Sequence, residues 1–319
     1  MAPYVYIRND GFTQEPTAQQ PKQPFPAFVR TGPRAEDFVL DGVLDRLTSE
    51  ATGYIKQRAA GEKPFFLYFA LTAPHKPTLP HERFRGTSGL GPYGDFVKQV
   101  DWTVGQVLET LDETGLAKNT LVFYTSDNGS YMHRLDNPEA KDHVESNNIQ
   151  GYRAEHHRSN GPLRGTKADI WEAGHRVPFF VRWPGKIEAG SANHETVCLT
   201  DILATCAEVT GAEMGGSTAE DSFSLLPALR GQQFQRGAPV VHHSAAGMFA
   251  LRDGKWKLIA GNGSGGREAP KGKPFAEPFM LFDLSSDLAE QQNQAAAQPD
   301  VVKRLTARLE QIREAGRSR

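Results

Sequence analysis

Two runs of consecutive apolar and aromatic residues constrain the fold of this chain more than any other feature. The first, residues 64–70, reads PFFLYFA, and the second, residues 120–125, reads TLVFYT. Neither run alternates apolar with polar side chains, which is typical of strands buried on both faces in parallel sheets. Residues 95–114, between the two runs, carry valines and leucines at helical spacing. The pattern predicts an α/β fold, with a mainly parallel sheet flanked by helices.

The last hundred residues follow a different pattern. Residues 248–252 and 255–259 are predicted strands on either side of Asp253-Gly254, a two-residue hairpin signal. Residues 300–315 place apolar side chains at helical spacing. We therefore expect a small antiparallel sheet covered by a final helix. The predicted domains are an irregular segment 1–36, an α/β part 37–235 and a small α+β subdomain 236–319.

The composition excludes several classes of function. The 319 residues contain 36 Lys and Arg against 38 Asp and Glu, a formal charge of −2. This balance gives no electrostatic reason to expect nucleic acid or an anionic membrane as a partner. No apolar stretch approaches the 18 residues or so of a membrane-spanning helix, and the first residues do not form a signal peptide. Oligomeric state is not readable from the sequence.

Polar side chains follow both apolar runs, at the points where the predicted strands end. His75 comes after the first run, and Asp127 and Asn128 come directly after the second. Because ligands of open parallel sheets bind outside the carboxyl ends of the strands, we expect these side chains to share one cleft. The acid–amide pair offers two hard oxygen ligands for Ca²⁺ or Mg²⁺, but calcium takes six to eight. The same residues suit a plain turn, so both interpretations remain open.

His75 and Lys167 each have a structural interpretation, which is the default for an isolated residue, and a functional one. His75 is either a structural histidine of a turn or a functional group, as a general acid or as a hydrogen-bond donor to an anionic substrate. Lys167 follows a loop bracketed by glycines, so its ammonium either reaches an oxyanion or is simply solvated. The loop is not a phosphate-binding P-loop, because Ala168 stands where Ser or Thr is required. The histidine-rich residues 130–160 lack metal-ligand spacing and are expected to form an exposed polar loop.

Several longer motifs occur in a fixed order along the chain. They are KPFFLYFA at 63–70 with Ala73-Pro74-His75, NTLV at 119–122 with TSDNG at 125–129, GPLRGTK at 161–167 with IWEAGHRVP at 170–178, RWPGK at 182–186, TDIL at 200–203, SLLP at 224–227, VHHS at 241–244 and GKWKLI at 254–259. In this order they resemble the type I sulfatases of the alkaline phosphatase-like superfamily. The last two motifs are similar to those of bacterial, polysaccharide-type members. The resemblance covers roughly residues 37 to 310.

The resemblance implies a function and a role for each candidate residue. Members hydrolyse sulfate esters, here of a sulfated carbohydrate, and bacterial members are periplasmic or secreted. Asp127 and Asn128 would ligate Ca²⁺, or Mg²⁺, and Asp127 would also take the proton of the nucleophile. His75 would protonate the leaving alcohol, and Lys167 would bind the sulfate and offset its growing charge. The candidates for contact with the rest of the substrate are Arg134, His156, His157 and His243.

The sequence departs from the family pattern at the nucleophile. That nucleophile is a formylglycine made from a Cys/Ser-x-Pro-x-Arg motif, and no Cys or Ser here is followed two residues later by Pro. The paired aspartates and the Lys-x-His that accompany it are also missing. Lys141-Asp142-His143 has the Lys-x-His pattern, but it follows the Asp-Asn-Gly motif and is therefore in the wrong place. We therefore expect a carboxyl-terminal part of a sulfatase, inactive alone, with an exposed sheet edge.

Two other functions remain open at this point. One is a phosphodiesterase or phosphomutase of the same superfamily, although such enzymes build two-metal sites from several Asp and His residues. The other is a sulfatase-like protein that binds carbohydrate without catalysis.

Overall fold

The chain divides into two units. The computed structural model describes residues 2–24, 27–130 and 157–319. The first unit comprises Met1–Thr120 and Met132–Arg158, and the second comprises Leu121–Tyr131 and Ser159–Arg319. Among the described residues, no helix has the length and apolarity that crossing a bilayer requires.

Two long helices form the core of the first unit. They are α1 (Val43–Ala59) and α2 (Gly91–Glu113), and α2 overlaps the segment 95–114 that the sequence predicts to be helical. Leu44 of α1 packs with Phe96 and Val100 of α2, and all three are buried. The segment 1–36 contributes four short strands that pair antiparallel, the first with the second and the third with the fourth. These are β1 (Ile7–Arg8), β2 (Gly11–Phe12), β3 (Ala18–Gln20) and β4 (Gly32–Arg34).

The first apolar run is not the buried strand that the sequence predicts. Residues 64–70 belong to no helix or strand, and their side chains are alternately exposed. Phe66 is 76% exposed and Tyr68 is 82% exposed. A strand buried on both faces needs neighbouring strands and covering layers, and no described residue pairs with this run in a ladder. The prediction of a buried strand here is wrong.

The second run does form a strand, but its partner is antiparallel. Strand β5 (Val122–Thr125) pairs with β6 (Phe179–Arg182), with Val122 opposite Arg182 and Thr125 opposite Phe179. Parallel neighbours need a long crossover that is usually helical. The described part of the connection contains only α3 (Glu172–His175). The position of β5 is confirmed, whereas the parallel partner expected for it is absent from the described residues.

The carboxyl-terminal part of the second unit agrees with its prediction. A four-stranded antiparallel sheet has the order β10-β9-β8-β7, and helix α6 (Pro299–Ala315) packs on one face. Leu305, Leu309 and Ile312 of α6 are buried there. The Asp253-Gly254 hairpin joins β8 to β9, as predicted. The strands are β7 (Val240–His243), β8 (Phe249–Asp253), β9 (Trp256–Ala260) and β10 (Met280–Asp283).

The other face of this sheet holds the segment that leads into α3. Ile170 and Trp171 are buried against Met248, Ile259 and Phe282. Burying side chains of this size stabilises a protein by roughly 1.5–3 kcal/mol each, so the residues just after Lys167 are firmly anchored. Two further helices complete the unit, α4 (Asp201–Thr210) and α5 (Leu226–Leu229).

Fold class is thus α/β with a small antiparallel sheet and a covering helix, as expected. The division into 1–36, 37–235 and 236–319 stays a prediction.

Candidate functional site

The Asp-Asn-Gly motif forms a tight turn directly after β5. The Ser126 hydroxyl donates to the carbonyl of Asn128 at 3.0 Å, and the amide of Gly129 donates to the carbonyl of Gly174 at 3.1 Å. Gly129 is buried, and a β-carbon there would overlap with the carbonyl oxygen of Ala173. Only glycine allows this approach, so the turn is fixed against α3.

The two candidate metal ligands are left available by the turn. Asp127 is exposed, and its carboxylate makes no hydrogen bond or ion pair with a described residue. Asn128 donates through Nδ2 to the carbonyl of Gly129 at 3.2 Å, which leaves its Oδ1 as an acceptor. The Asp127 carboxylate and Asn128 Oδ1 are both oxygen ligands of the kind that a hard cation prefers. Two are too few, and the described residues contain no group of three or more His, Cys, Asp or Glu that could hold a metal ion.

Lys167 lies beside this turn. Its backbone amide donates to the carbonyl of Ser130 at 3.2 Å. The Asn160 side chain holds Ser130 from the other side, accepting from its amide at 2.9 Å and donating to its carbonyl at 2.7 Å. The structure therefore brings the backbone of Lys167 next to the acid–amide turn. Lys167 as a residue is half-buried, and its ammonium makes no hydrogen bond or ion pair with the residues described.

The other described candidates are three histidines, His75, His157 and His243. His75 is exposed in the first unit, where its Nδ1 donates to the carbonyl of Lys76 at 2.6 Å. His157 also belongs to the first unit, with its ring centroid 6.4 Å from that of Tyr93. His243 ends β7 and donates from Nδ1 to the carbonyl of Ser244 at 2.9 Å. The last two candidates, Arg134 and His156, lie outside the described residues. The Lys-Asp-His at 141–143 also lies outside them.

Sequence reasoning missed a buried ionic cluster behind α3. Lys257 of β9 is 0% exposed, and its ammonium donates to the carbonyl of Ile170 at 2.9 Å and to Glu172 Oε1 at 3.0 Å. It also forms an ion pair of 2.9 Å with Glu290 Oε1. The signal was a lysine within the apolar strand sequence WKLIA, where an inward charge needs buried partners.

Burial and charge affect the two carboxyls of this cluster differently. Burial opposes the ionisation of Glu172, but the charge and hydrogen bond of Lys257, helped by Arg252, hold its pKa below the usual value. Burial raises the pKa of Glu290, and the nearby charge of Glu172 adds to this effect against the opposing charge of Lys257. Glu172 therefore carries the negative charge more firmly, and Glu290 is the first of the two to take a proton.

Two histidine rings contact each other near the same lysine, at a tilted angle. The ring centroids of His175 and His242 are 4.2 Å apart. Burial, reinforced by the charge of Lys257, lowers the pKa of His175 to about 4 and that of His242 well below its ordinary value. The Nε2 atoms of both rings are buried without a hydrogen-bond partner among the described residues. Both imidazoles are therefore neutral near pH 7.

The family model and two curated relatives that match this chain are all sulfatases. The family described as Sulfatase matches residues 8–212. The N-acetylgalactosamine-6-O-sulfatase of Bacteroides thetaiotaomicron is 32% identical over 294 residues, which are 89% of this chain and 53% of that protein. The rat steryl-sulfatase is 40% identical over 190 residues, 60% of this chain and 30% of that protein. The chain thus spans about half the length of the first relative and less of the second.

Solved structures show the same fold. A Bacteroides thetaiotaomicron protein of glycosaminoglycan metabolism superposes with a TM-score of 0.79 and 27% identity, over 98% of this chain and 70% of that one. A sulfatase from a Pseudoalteromonas species superposes with a TM-score of 0.66 and 23% identity, over 88% of this chain and 55% of that one. The second likeness concerns the fold alone.

Proposed function

The chain belongs to the sulfatase family, and we propose that it supplies the sulfate-binding lysine and two metal ligands of a sulfuric ester hydrolase. One observation carries the proposal. The backbone of Lys167 is hydrogen-bonded to Ser130, directly after the turn that contains Asp127 and Asn128. An ammonium and two hard oxygen ligands, all without partners among the described residues, are therefore carried by adjoining turns of the second unit.

This arrangement suits the charge that develops during sulfate ester hydrolysis. The transition state carries negative charge on the sulfate oxygens, and a fixed cation stabilises it more strongly than mobile water does. Lys167 supplies that cation, while Asp127 and Asn128 would supply ligands to Ca²⁺ or Mg²⁺. The chemistry that such an ion provides when bound is further neutralisation of the sulfate. His75 keeps the role implied by the sequence resemblance, as proton donor to the leaving alcohol.

We propose a sulfated carbohydrate as the substrate. The Bacteroides thetaiotaomicron relative, which is named for a sulfated amino sugar, aligns with 89% of this chain. The rat relative, named for steryl sulfate, aligns with 60%. The broader match favours a carbohydrate, and with it a periplasmic or secreted location. Arg134, His156, His157 and His243 remain proposed contacts for the sugar.

We also propose that this polypeptide alone does not turn over substrate, because it lacks the Cys/Ser-x-Pro-x-Arg motif of the family nucleophile. An aryl sulfate with a fluorescent leaving group tests this directly. The expected result is a rate equal to that of buffer. Hydrolysis that rises in proportion to the concentration of the purified chain would contradict it.

The sulfate site itself is tested by anion binding. Inorganic sulfate titrated into the isotopically labelled chain is expected to shift the side-chain NMR signal of Lys167. Because a hydrogen bond to a charged group contributes about 1.5–3 kcal/mol, Lys167→Ala should raise the sulfate Kd at least about ten-fold. Lys186→Ala is the matched control, since Lys186 is an exposed lysine of the same unit. Equal losses in both variants would show nonspecific attraction and refute the site.

A further inference from the structure

The residue after Lys167 has a backbone conformation that its side chain does not favour. Ala168 has φ of 81°, in the left-handed region where the β-carbon of an L-residue meets the backbone. A non-glycine residue keeps such a conformation only when surrounding contacts enforce it. The turn that presents Lys167 is therefore held from outside.

The strongest of these contacts come from Asp169. Its buried carboxylate accepts four hydrogen bonds, two on each oxygen. Oδ2 accepts from the amide of Thr166 at 2.8 Å and from its hydroxyl at 3.1 Å, which spans the turn across Lys167. Oδ1 accepts from the amides of Arg267 at 2.5 Å and Glu268 at 3.0 Å. One side chain thus ties both ends of the turn to a distant loop.

The same loop region also approaches the backbone of Ala168. The carbonyl of Ala168 accepts from the amide of Ala245 at 3.0 Å. A β-carbon at Gly266 would overlap with this carbonyl and with Asp169 Oδ1, so glycine is required there. The turn is consequently fixed by residues from two loops of the carboxyl-terminal sheet, while the Lys167 ammonium is left available.

We propose that Asp169 is a positioning residue for Lys167. Asp169 holds the turn so that the Lys167 ammonium is presented in one orientation to a sulfate oxygen. The inference rests on the proposed function, in which Lys167 is the sulfate-binding cation. A preorganised cation binds its anion without the cost of ordering its own backbone. Asp169 therefore acts on sulfate affinity through Lys167, without contacting the anion.

The substitution Asp169→Asn tests this at constant shape. Asparagine has one acceptor oxygen and one donor amide, so one pair of donors in the present arrangement loses its acceptor. The exchange rate of the Lys167 backbone amide, which is bonded to Ser130, reports on the turn without any ligand. We expect its protection to fall at least about ten-fold, as the loss of hydrogen bonds of this kind implies. Unchanged protection would overturn the proposal.

Asp95→Asn is the matched control. Asp95 is a buried carboxylate of the first unit that likewise accepts from backbone amides and a hydroxyl, those of Gly86 and Ser88. Asp95→Asn should lower thermal stability by about as much as Asp169→Asn does. It should leave the exchange protection of the Lys167 amide unchanged. Equal loss of Lys167 protection in both variants would mean a general loosening and would overturn the positioning role.

The sulfate Kd separates positioning from folding. Measured where more than about 95% of the protein is folded, the apparent Kd is insensitive to a change in stability alone. Asp169→Asn should raise the Kd about five-fold or more, and a lowered Tm with an unchanged Kd would overturn the proposal. If sulfate leaves the Lys167 signal of the unsubstituted chain unchanged, the proposed function fails, and the exchange experiment alone decides about Asp169.

Two further variants keep the test decisive. Ala168→Gly placed in the Asp169→Asn background should recover part of the lost sulfate affinity, because glycine adopts positive φ without strain. No recovery would contradict the proposed link between the hydrogen bonds of Asp169 and the left-handed turn. If Asp169→Asn does not fold, Thr166→Val removes one of the four bonds and should give about three-fold loss of Lys167 amide protection.

Discussion

Replacing Lys257 by methionine is expected to destabilise the second unit strongly. The ammonium lies between Glu172 and Glu290, at 3.0 and 2.9 Å, and is 0% exposed. Methionine has a similar length, so the substitution removes charge rather than volume. Taking one partner from a buried ion pair costs roughly 3–5 kcal/mol, because the remaining charge is left uncompensated. For a unit of this size the midpoint of thermal unfolding should fall by roughly 10 °C.

The stability lost on replacing Lys257 should increase as pH rises. Without the lysine, burial and mutual repulsion raise the pKa of both carboxyls above the unfolded value of about 4.3. The folded variant then binds more protons than the unfolded chain, so its stability falls as pH rises through the raised folded pKa. The difference from the unsubstituted protein should be small near pH 4.5 and full near pH 7. Urea unfolding at several pH values between these limits measures it.

Lys255→Met provides the matched control for this prediction. Lys255 precedes the same strand and forms an ion pair of 2.6 Å with Asp283, but it is 53% exposed. Water and salt screen an exposed pair, so its loss should change stability little. Adding Glu290→Gln to Lys257→Met should restore part of the stability, since it removes one uncompensated charge. Similar losses at both lysines, or a deficit that does not change with pH, would refute the reasoning.

Three further predictions use the same unfolding assays. Gly129→Ala should cost about 2 kcal/mol or more, because its β-carbon meets the Ala173 carbonyl; a neutral result would contradict the close approach. Gly53→Ala, within α1 and facing open space, should stabilise the first unit by about 0.5–1 kcal/mol. The pKa of His175 is lowered to about 4, so its contribution to stability is present above pH 6.5 or so and is lost as pH falls through the folded value. His175→Gln should flatten that part of the pH profile, and an unchanged profile would contradict the assignment.

Local patterns were sufficient for the carboxyl-terminal sheet. The Asp253-Gly254 turn and the apolar spacing of 300–315 depend on neighbours in sequence, and both elements are confirmed. The run 64–70 was misread because its burial depends on other strands, which a local pattern does not reveal. The direction of β5 against β6 is equally non-local, since it depends on the path of the connecting chain.

The candidate site shows the same limit. The Asp-Asn-Gly turn and Lys167 were identified from short motifs, and their backbones do lie together. Asp169 was missed because its bonds to Arg267 and Glu268 join residues about a hundred positions apart. A buried acceptor of this kind has no sequence pattern until its partners are known. Lys257 left only a weak signal, an isolated charge within an apolar strand.

A crystal structure of the chain grown with calcium and inorganic sulfate would show where the anion and the cation bind. We expect a sulfate oxygen within hydrogen-bonding distance of Lys167 Nζ, and a cation held by Asp127 and Asn128 at the same end of β5. Sulfate found only at other lysines, or the Lys167 ammonium and the Asp127 carboxylate on opposite faces of the second unit, would contradict it.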